Sequence, residues 1–146
     1  MNVIDIDEMG KKDMVALLVK SGFGHLGCSR NGRPYVLPVH YAYKEPDIFL
    51  YTTEGMKTEY ITSNPEVCLQ VEEVQDVAHW RSVIVTGKAE RLKTDLEKQH
   101  AMKLISERNP ELSPAISRTW TDAWGRANIE AIFRITPEEM SGRQTR

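Results

Sequence analysis

The chain has 146 residues, of which 40% are hydrophobic and 27% charged, and its formal net charge is −2 at pH 7. This composition is typical of a globular protein, and the length favours one domain spanning residues 1–146. The near-neutral balance and the lack of a long basic run argue against nucleic acid as a partner. No apolar run approaches the ~20 residues of a membrane span, and the acidic N-terminus is unlike a secretory signal, so we expect a cytoplasmic protein without a membrane partner.

The first predicted element is a helix over about residues 8–21. Its apolar positions recur near helical spacing, at Met9, Met14, Leu17 and Leu18. Asp5 or Asp7 can cap its start, and Gly22 is a suitable residue to end it.

Three strands and a short helix follow. They are expected at residues 23–29, 34–43 and 48–53, and then 55–63. The Asn31-Gly32 pair predicts a tight hairpin turn, because both residues tolerate a positive φ. Pro38 cannot donate to a sheet ladder, so we expect it at an edge or a bulge, where neighbouring backbone groups stay available to a ligand. Asn64-Pro65 ends the helix.

The second half predicts two more strands, a helix and a closing strand. They are expected at residues 67–74 and 80–92, from Thr94 or Asp95 to about Arg108, and at 128–135, with a loop at 75–79 and an irregular segment at 111–125. Gly87 indicates a bulge or tight bend. The polar tail is expected to end in mobile residues. Six strands joined mostly by short turns favour a small antiparallel barrel with peripheral helices over a parallel sheet.

A strand end followed by a helix start brings Thr52, Thr53 and Lys57 to one junction. Hydroxyl groups, free backbone N–H groups and a lysine are what a phosphate needs. The alternative, taken from these residues alone, is a solvated lysine beside two strand-forming threonines.

Other candidates are weaker when judged from residue types alone. Alternation puts Trp80 and Ser82 on one strand face, suited to an aromatic ligand, and Arg81 on the other; a packing tryptophan is the simpler interpretation. The four histidines lack ligand spacing, so no metal site is predicted, although His25 lies among glycines where a ligand can approach. Cys28 and Cys68 are expected as buried thiols without a bridge. The sequence assigns no role to Trp120 or Trp124 and no catalytic residue.

The chain resembles the pyridoxamine 5′-phosphate oxidase-like superfamily of flavin-binding split barrels, most closely its small nitroimidazole-resistance-type branch. The resemblance lies in the order PYVLPVHYAY, IFLYTTEGMK, a helix ending in NP, VCLQVEE and WRSVIVTGKAERL. It extends less closely to a closing strand, FRITPEEMSGR. It implies a six-stranded antiparallel split β-barrel that forms a homodimer, with FMN at the interface. The implied flavin contacts are Pro38, Val39, His40 and Tyr41 for the ring, Thr52, Thr53 and Lys57 for the phosphate, and Trp80, Arg81 and Ser82 on the fifth strand.

The resemblance implies an FMN-dependent oxidoreductase that passes electrons from NADH or NADPH to a small acceptor. The longer C-terminal region of pyridoxamine 5′-phosphate oxidases proper is not matched, so vitamin B6 oxidation is not expected. Two alternatives stay open. One is a flavin- or haem-binding protein without turnover, with His25, His40 or His79 as an axial ligand. The other is a deazaflavin-dependent reductase on the same barrel.

Overall fold

The computed structural model describes residues 4–53, 55–109 and 130–146. Within them the chain forms seven strands and three helices. The strands are β1 (Ile6–Glu8), β2 (Phe23–Arg30), β3 (Arg33–Lys44), β4 (Asp47–Thr53), β5 (Glu66–Asp76), β6 (His79–Arg91) and β7 (Glu130–Thr145). The helices are α1 (Lys11–Lys20), α2 (Met56–Ser63) and α3 (Asp95–Arg108). None of these helices has the length and apolar character needed to cross a membrane.

Six of the strands close into a ring. The sheet order is β1-β7-β4-β3-β2-β5-β6, and an additional β7–β6 pairing joins the two sides. Every pairing is antiparallel. Strand β1 lies outside the ring, paired with the last residues of β7. The predicted six-stranded antiparallel barrel is therefore confirmed, with one short strand added.

The barrel is filled by the inward-facing side chains of alternate strand residues and is closed by two helices. Leu17 and Leu18 of α1 pack into the cluster, and the Tyr41 hydroxyl donates to the Leu18 carbonyl at 2.8 Å. Ile61 of α2 belongs to the same cluster, and Tyr60 of α2 packs against Tyr35 of β3. Since Tyr35 and Tyr41 are ~20 Å apart along β3, the two helices cover opposite ends of the barrel.

Helix α3 lies outside the barrel and forms a second apolar cluster. Ala101, Met102 and Ile105 pack there against outward-facing residues of the barrel, namely Ala42, Phe49, Leu92 and Ile132. Thr94 caps the helix as predicted, because its side chain accepts a hydrogen bond from the Glu97 N–H at 3.2 Å.

The start of the first helix was predicted too early. Helix α1 begins at Lys11 with Gly10 as N-cap, and no side chain caps it. Asp5 and Asp7 instead approach Arg146 at 3.7 Å and 2.6 Å. These contacts arise because the N-terminal residues pair with the end of β7, which brings the two chain ends side by side.

Two predicted irregular regions are strand. The prediction of a mobile tail is wrong, because β7 continues to Thr145, paired with β6 and β1. The predicted loop at 75–79 is reduced to Val77 and Ala78, between the ends of β5 and β6. Backbone hydrogen bonds to neighbouring strands hold these residues whatever their side chains, so their polar character was a poor guide.

Two local backbone signals are confirmed. Asn31 and Gly32 have φ values of 51° and 77°, as a tight hairpin turn requires. The β6–β7 register shifts between Thr86 and Gly87, and a Cβ on Gly87 would lie 2.3 Å from the Thr136 carbonyl oxygen. Glycine is therefore needed where the strands meet at this bulge.

Candidate functional site

The pairing of β3 with β4 ends before Pro38 is reached. The β3–β4 ladder runs from Lys44 opposite Asp47 to His40 opposite Tyr51, and hydrogen-bonded pairs recur at every second residue from the turn. The next such residue on β3 is Pro38, which has no N–H to donate. Pairing with β2 continues without a break to the hairpin turn. Pro38 therefore lies at an edge, the first of the two predicted positions, and one edge of β3 is free beyond it.

The residues predicted to contact a flavin ring divide between two faces of β3. Val39 and Tyr41 point into the barrel and are 3% and 0% exposed. Burial raises the pKa of the Tyr41 phenol, which keeps its proton and serves as a structural donor. Pro38 is exposed and His40 half-buried on the outside. A ligand at this strand would meet the side chains of Pro38 and His40 but only the backbone of the other two.

The outward-facing His40 belongs to a ring cluster that the sequence analysis did not identify. The Phe23 ring lies 5.2 Å from His40 and 5.6 Å from His25, measured between ring centroids. His40 Nδ1 is 3.2 Å from Asn109 Oδ1, and the Asn109 amide donates to the Ile105 carbonyl at 2.8 Å. Asn109 follows the last residue of α3, and its contact with His40 becomes visible only once α3 is packed against the barrel.

The cluster is part of a sheet surface that no other described segment of the chain covers, which we call the bare face. Pro38, His25, Gln70 and Ile84 are successive cross-strand partners on β3, β2, β5 and β6. Apolar side chains on these strands are largely exposed: Phe23 at 45%, Val36 at 67% and Ile84 at 44%. The bare face consists of Phe23, His25, Val36, Pro38, Gln70 and Ile84.

The predicted phosphate residues lie beside the gap that Pro38 opens. Continuing the β3–β4 register places Pro38 opposite Thr53. Thr52, one residue earlier, is buried, and Lys57 lies half-buried in the first turn of α2. The start of α2 is organised by Thr58, whose hydroxyl accepts from the Gly55 N–H at 3.2 Å and donates to the Gly55 carbonyl at 2.7 Å. The sequence analysis did not single out Thr58.

Trp80, Arg81 and Ser82, which were predicted on the fifth strand, lie on β6, at the far side of the bare face from β3. Trp80 and Ser82 line a groove of about 510 Å³. Ser82 also accepts a hydrogen bond from the Gln70 amide at 3.2 Å. Three strand spacings separate β3 from β6, or ~14 Å, so within one chain Ser82 does not meet His40. The structure brings these residues to one surface and not to one contact site.

Arg81 faces away from this groove, as alternation predicts. Its Nε lies 3.1 Å from Glu73 Oε1, and Lys20 of α1 binds the other oxygen of the same carboxylate. The hydrogen bond from Lys20, with the charges of Arg81 and Lys20, holds the pKa of Glu73 below its usual value. Arg81 thus has a structural partner of its own.

The remaining candidates show little chemistry. Cys28 is buried and Cys68 half-buried, and both are free thiols. Burial, together with the nearby Cys68, raises the pKa of Cys28, which keeps it protonated and unreactive. In the described residues no group of three or more His, Cys, Asp or Glu is arranged to hold a metal ion. Trp120 and Trp124 lie outside those residues.

The fold is shared with solved structures. A flavin adenine dinucleotide (FAD)-binding protein from Mesorhizobium loti is 28% identical, covers 99% of both chains and has a TM-score of 0.78. A proposed 5-nitroimidazole antibiotic resistance protein from Bacteroides thetaiotaomicron is 19% identical, covers 99% of this chain and 90% of its own, and has a TM-score of 0.75. The haem storage protein HutZ from Vibrio cholerae is 15% identical, with coverage of 89% and 92% and a TM-score of 0.69.

A family model agrees with this structural similarity. The model described as pyridoxamine 5′-phosphate oxidase matches residues 10–144, which is nearly the whole chain. The match includes most of β7 beyond residue 135, where the residue pattern predicted a polar tail. The chain therefore belongs to the pyridoxamine 5′-phosphate oxidase family.

Proposed function

We propose that this protein binds FMN at the gap between β3 and β4 and passes electrons from NADH or NADPH to a small acceptor. The observation that carries the proposal is the end of the β3–β4 ladder at Pro38, opposite the turn into α2. This leaves a free strand edge next to the residues predicted to hold a phosphate. The similarity to an FAD-binding protein, at 28% identity over 99% of each chain, supports a flavin as the ligand.

The residues around the gap suit the two ends of a flavin nucleotide. Lys57 and the N-terminal turn of α2 offer positive charge and dipole to a phosphate. Pro38, His40 and the Phe23 ring offer an outward surface for a flat ring, with backbone groups of β3 at its edge. A bound flavin would supply the redox chemistry, while the chain orients it and neutralises its phosphate.

We also propose that a second copy of the chain covers the bare face. Phe23, Val36 and Ile84 form exposed apolar surface on neighbouring strands, which in a soluble domain marks an interaction site. The bare face includes Pro38 at the gap and adjoins Ser82. A dimer that uses it would put the flavin at the edge of the interface and bring the two groups of predicted contacts closer together.

The test is an absorption spectrum of freshly purified protein, followed by mass spectrometry of the ligand released by heat. Flavin peaks near ~370 and ~450 nm with an FMN mass are expected, and an FAD mass would correct the cofactor and keep the class. Anaerobic NADPH should then reduce the bound flavin faster than free FMN. Equal rates would contradict the oxidoreductase proposal, and a colourless protein that does not take up FMN would contradict flavin binding.

Haem binding without turnover is the second candidate. His79 Nδ1 lies 2.8 Å from Asp76 Oδ1, an arrangement that orients an imidazole for ligation through its other nitrogen. His25 and His40 flank Phe23 as further exposed or half-buried imidazoles. The haem storage protein of Vibrio cholerae shares the fold. A Soret band in the same spectrum, lost in a His79→Ala variant, would favour this function over the flavin.

A further inference from the structure

A groove beside Trp80 is large enough to hold a small molecule. It lies between β6, the last part of β7 and the segment from β1 to α1, and its volume is about 510 Å³. That volume falls in the ~300–1,000 Å³ range of small-molecule sites. Its apolar lining consists of Met9, Met14, Trp80, Ile84 and Met140.

Gly142 allows the N-terminal segment to close one side of this groove. The Met9 N–H donates to the Gly142 carbonyl at 2.9 Å. A Cβ on Gly142 would lie 2.9 Å from Met9 Sδ and 3.1 Å from Met14 Sδ, so a larger residue would push these side chains away. The Met9 and Met14 side chains pack on the core side of the β6–β7 ladder, the side to which Gly142 and Met140 belong. Trp80 and Ile84 share the other face with Ser82, and together they offer an indole and an aliphatic side chain to a flat apolar ring.

A row of three polar side chains crosses the same groove. Arg143 of β7 is the cross-strand partner of Glu8 on β1 and of Ser82 on β6. All three line the groove. Neither Glu8 nor Arg143 belongs to an ion pair in the part of the chain that the structure describes. An acceptor, a donor and a hydroxyl therefore stand side by side, ~4.8 Å apart, next to an apolar wall.

We infer that the groove binds a planar heteroaromatic ring carrying a primary carboxamide, the chemistry of a nicotinamide. The amide oxygen would accept from Arg143 and the amide NH₂ would donate to Glu8, while the ring lies against Trp80 and Ile84. A carboxylate in the same place would face the like charge of Glu8. A ring without a polar group would leave both charged side chains facing an apolar surface.

The role of this ligand as electron donor rests on the proposed function. Trp80 and Ser82 are both groove residues and predicted flavin contacts, but within one chain they lie ~14 Å from the gap at Pro38. A nicotinamide held here would therefore reach a flavin only across the proposed dimer interface. Binding itself does not require turnover. It can be measured separately from flavin content, which the absorption spectrum of the same preparation gives.

The test is a titration of ¹⁵N-labelled full-length protein with nicotinamide and, in parallel, with nicotinate. Nicotinamide should shift the amide signals of Ser82, Ser141 and Gly142, and nicotinate should bind about tenfold more weakly. Glu8→Gln should abolish that preference, and Arg143→Met should weaken nicotinamide binding about tenfold. Glu107→Gln, exposed on α3, is the control and should change neither titration.

A second variant protects the test against misfolding. Ser141→Phe would fill the mouth of the groove from an exposed strand position, and it should abolish the nicotinamide shifts while the remaining amide spectrum stays native. Nicotinate binding as tightly as nicotinamide would overturn the inference. So would nicotinamide shifts that persist in both Arg143→Met and Ser141→Phe. If the shifts occur in protein without flavin, the groove assignment stands and only the cofactor proposal fails.

Discussion

The outside of the barrel has two apolar surfaces that differ in what covers them. Over β4 and the end of β3, α3 buries Ala42 and Phe49 to 1% and 8% exposure. Over β2, β5, β6 and the start of β3, Phe23 and Val36 remain 45% and 67% exposed. The same strand, β3, contributes to both surfaces. The hydrogen bond between His40 and Asn109 lies where one surface ends and the other begins.

This difference shows that apolar strand residues do not by themselves reveal how they are covered. Helix α3 covers one of the two surfaces, and no helix among the described residues covers the other. Exposed apolar patches often mark interaction sites, which is the reason for proposing that a second copy of the chain covers the bare face. The difference can be measured. Removing a side chain from the surface under α3 should affect unfolding, and removing one from the bare face should affect association of two chains.

The largest effect is expected from Ile105→Ala under α3. Ile105 is 0% exposed, so the variant loses burial and leaves a cavity, at a cost of ~2–5 kcal/mol in unfolding free energy. The matched variant Ile84→Ala on the bare face should cost less than ~1 kcal/mol when the protein is dilute and monomeric. Urea unfolding at low protein concentration measures both. Equal losses would mean that the two surfaces are equally buried in one chain.

A slightly smaller effect is expected on association. The double variant Phe23→Ser and Ile84→Ser removes two exposed apolar side chains from the bare face and should raise the dimer dissociation constant at least ~100-fold, or ~2.7 kcal/mol. Leu96→Ser is the control, since Leu96 is 79% exposed on α3 and outside the bare face. Sedimentation equilibrium distinguishes the cases. A control that weakens the dimer as strongly would place the interface on the helical side.

The sequence predicted the fold well where a local rule decides the structure. The Asn31-Gly32 turn, the Thr94 cap and the helix stop before Pro65 each depend on one or two residues. Strand β1 was missed, and the second half of β7 was indicated only by the resemblance, for the opposite reason. They are held by pairing with each other and with β6, and polar outward-facing residues such as Glu139 leave no apolar alternation to read.

The candidate site was predictable as a list of residues but not as a surface. Alternation along β3 shows that Val39 and Tyr41 point opposite to Pro38 and His40, and the burial of one pair follows once the barrel is known. The distance from β3 to β6 could not be predicted, since it depends on β2 and β5 lying between them. Arg143 was not singled out, because the residue pattern ended the last strand at residue 135 and the position of Arg143 beside Glu8 and Ser82 depends on strand pairing.

A tenfold effect on FMN affinity is expected at the gap between β3 and β4. Lys57→Ala should weaken FMN binding about tenfold, or ~1.4 kcal/mol, because a phosphate there would lose a positive charge. Lys103→Ala, exposed on α3, is the matched control and should leave the affinity unchanged. Titration of flavin-free protein by fluorescence quenching measures both. Unchanged affinity in Lys57→Ala would contradict the phosphate prediction for Thr52, Thr53 and Lys57 while leaving the ring surface untested by this variant.

The smallest effect is expected at an ion-pair cluster where α1 meets the ends of β5 and β6, on the face of these strands opposite the bare face. Glu73 binds both Lys20 and Arg81, and these contacts lower its pKa from the usual 4.5. A lowered pKa in the folded state stabilises the protein above pH 4.5, and that contribution is lost as the pH falls through the folded value.

Glu73→Gln should therefore reduce the unfolding free energy by less than ~1 kcal/mol at pH 7, and the difference from the original protein should shrink as the pH is lowered below about 4.5. Added salt should reduce it too, because the pairs are partly solvated. Urea unfolding across a pH series measures the difference, with Glu107→Gln as the control. A difference that stays constant down to acid pH would mean that Glu73 acts by packing and not by charge.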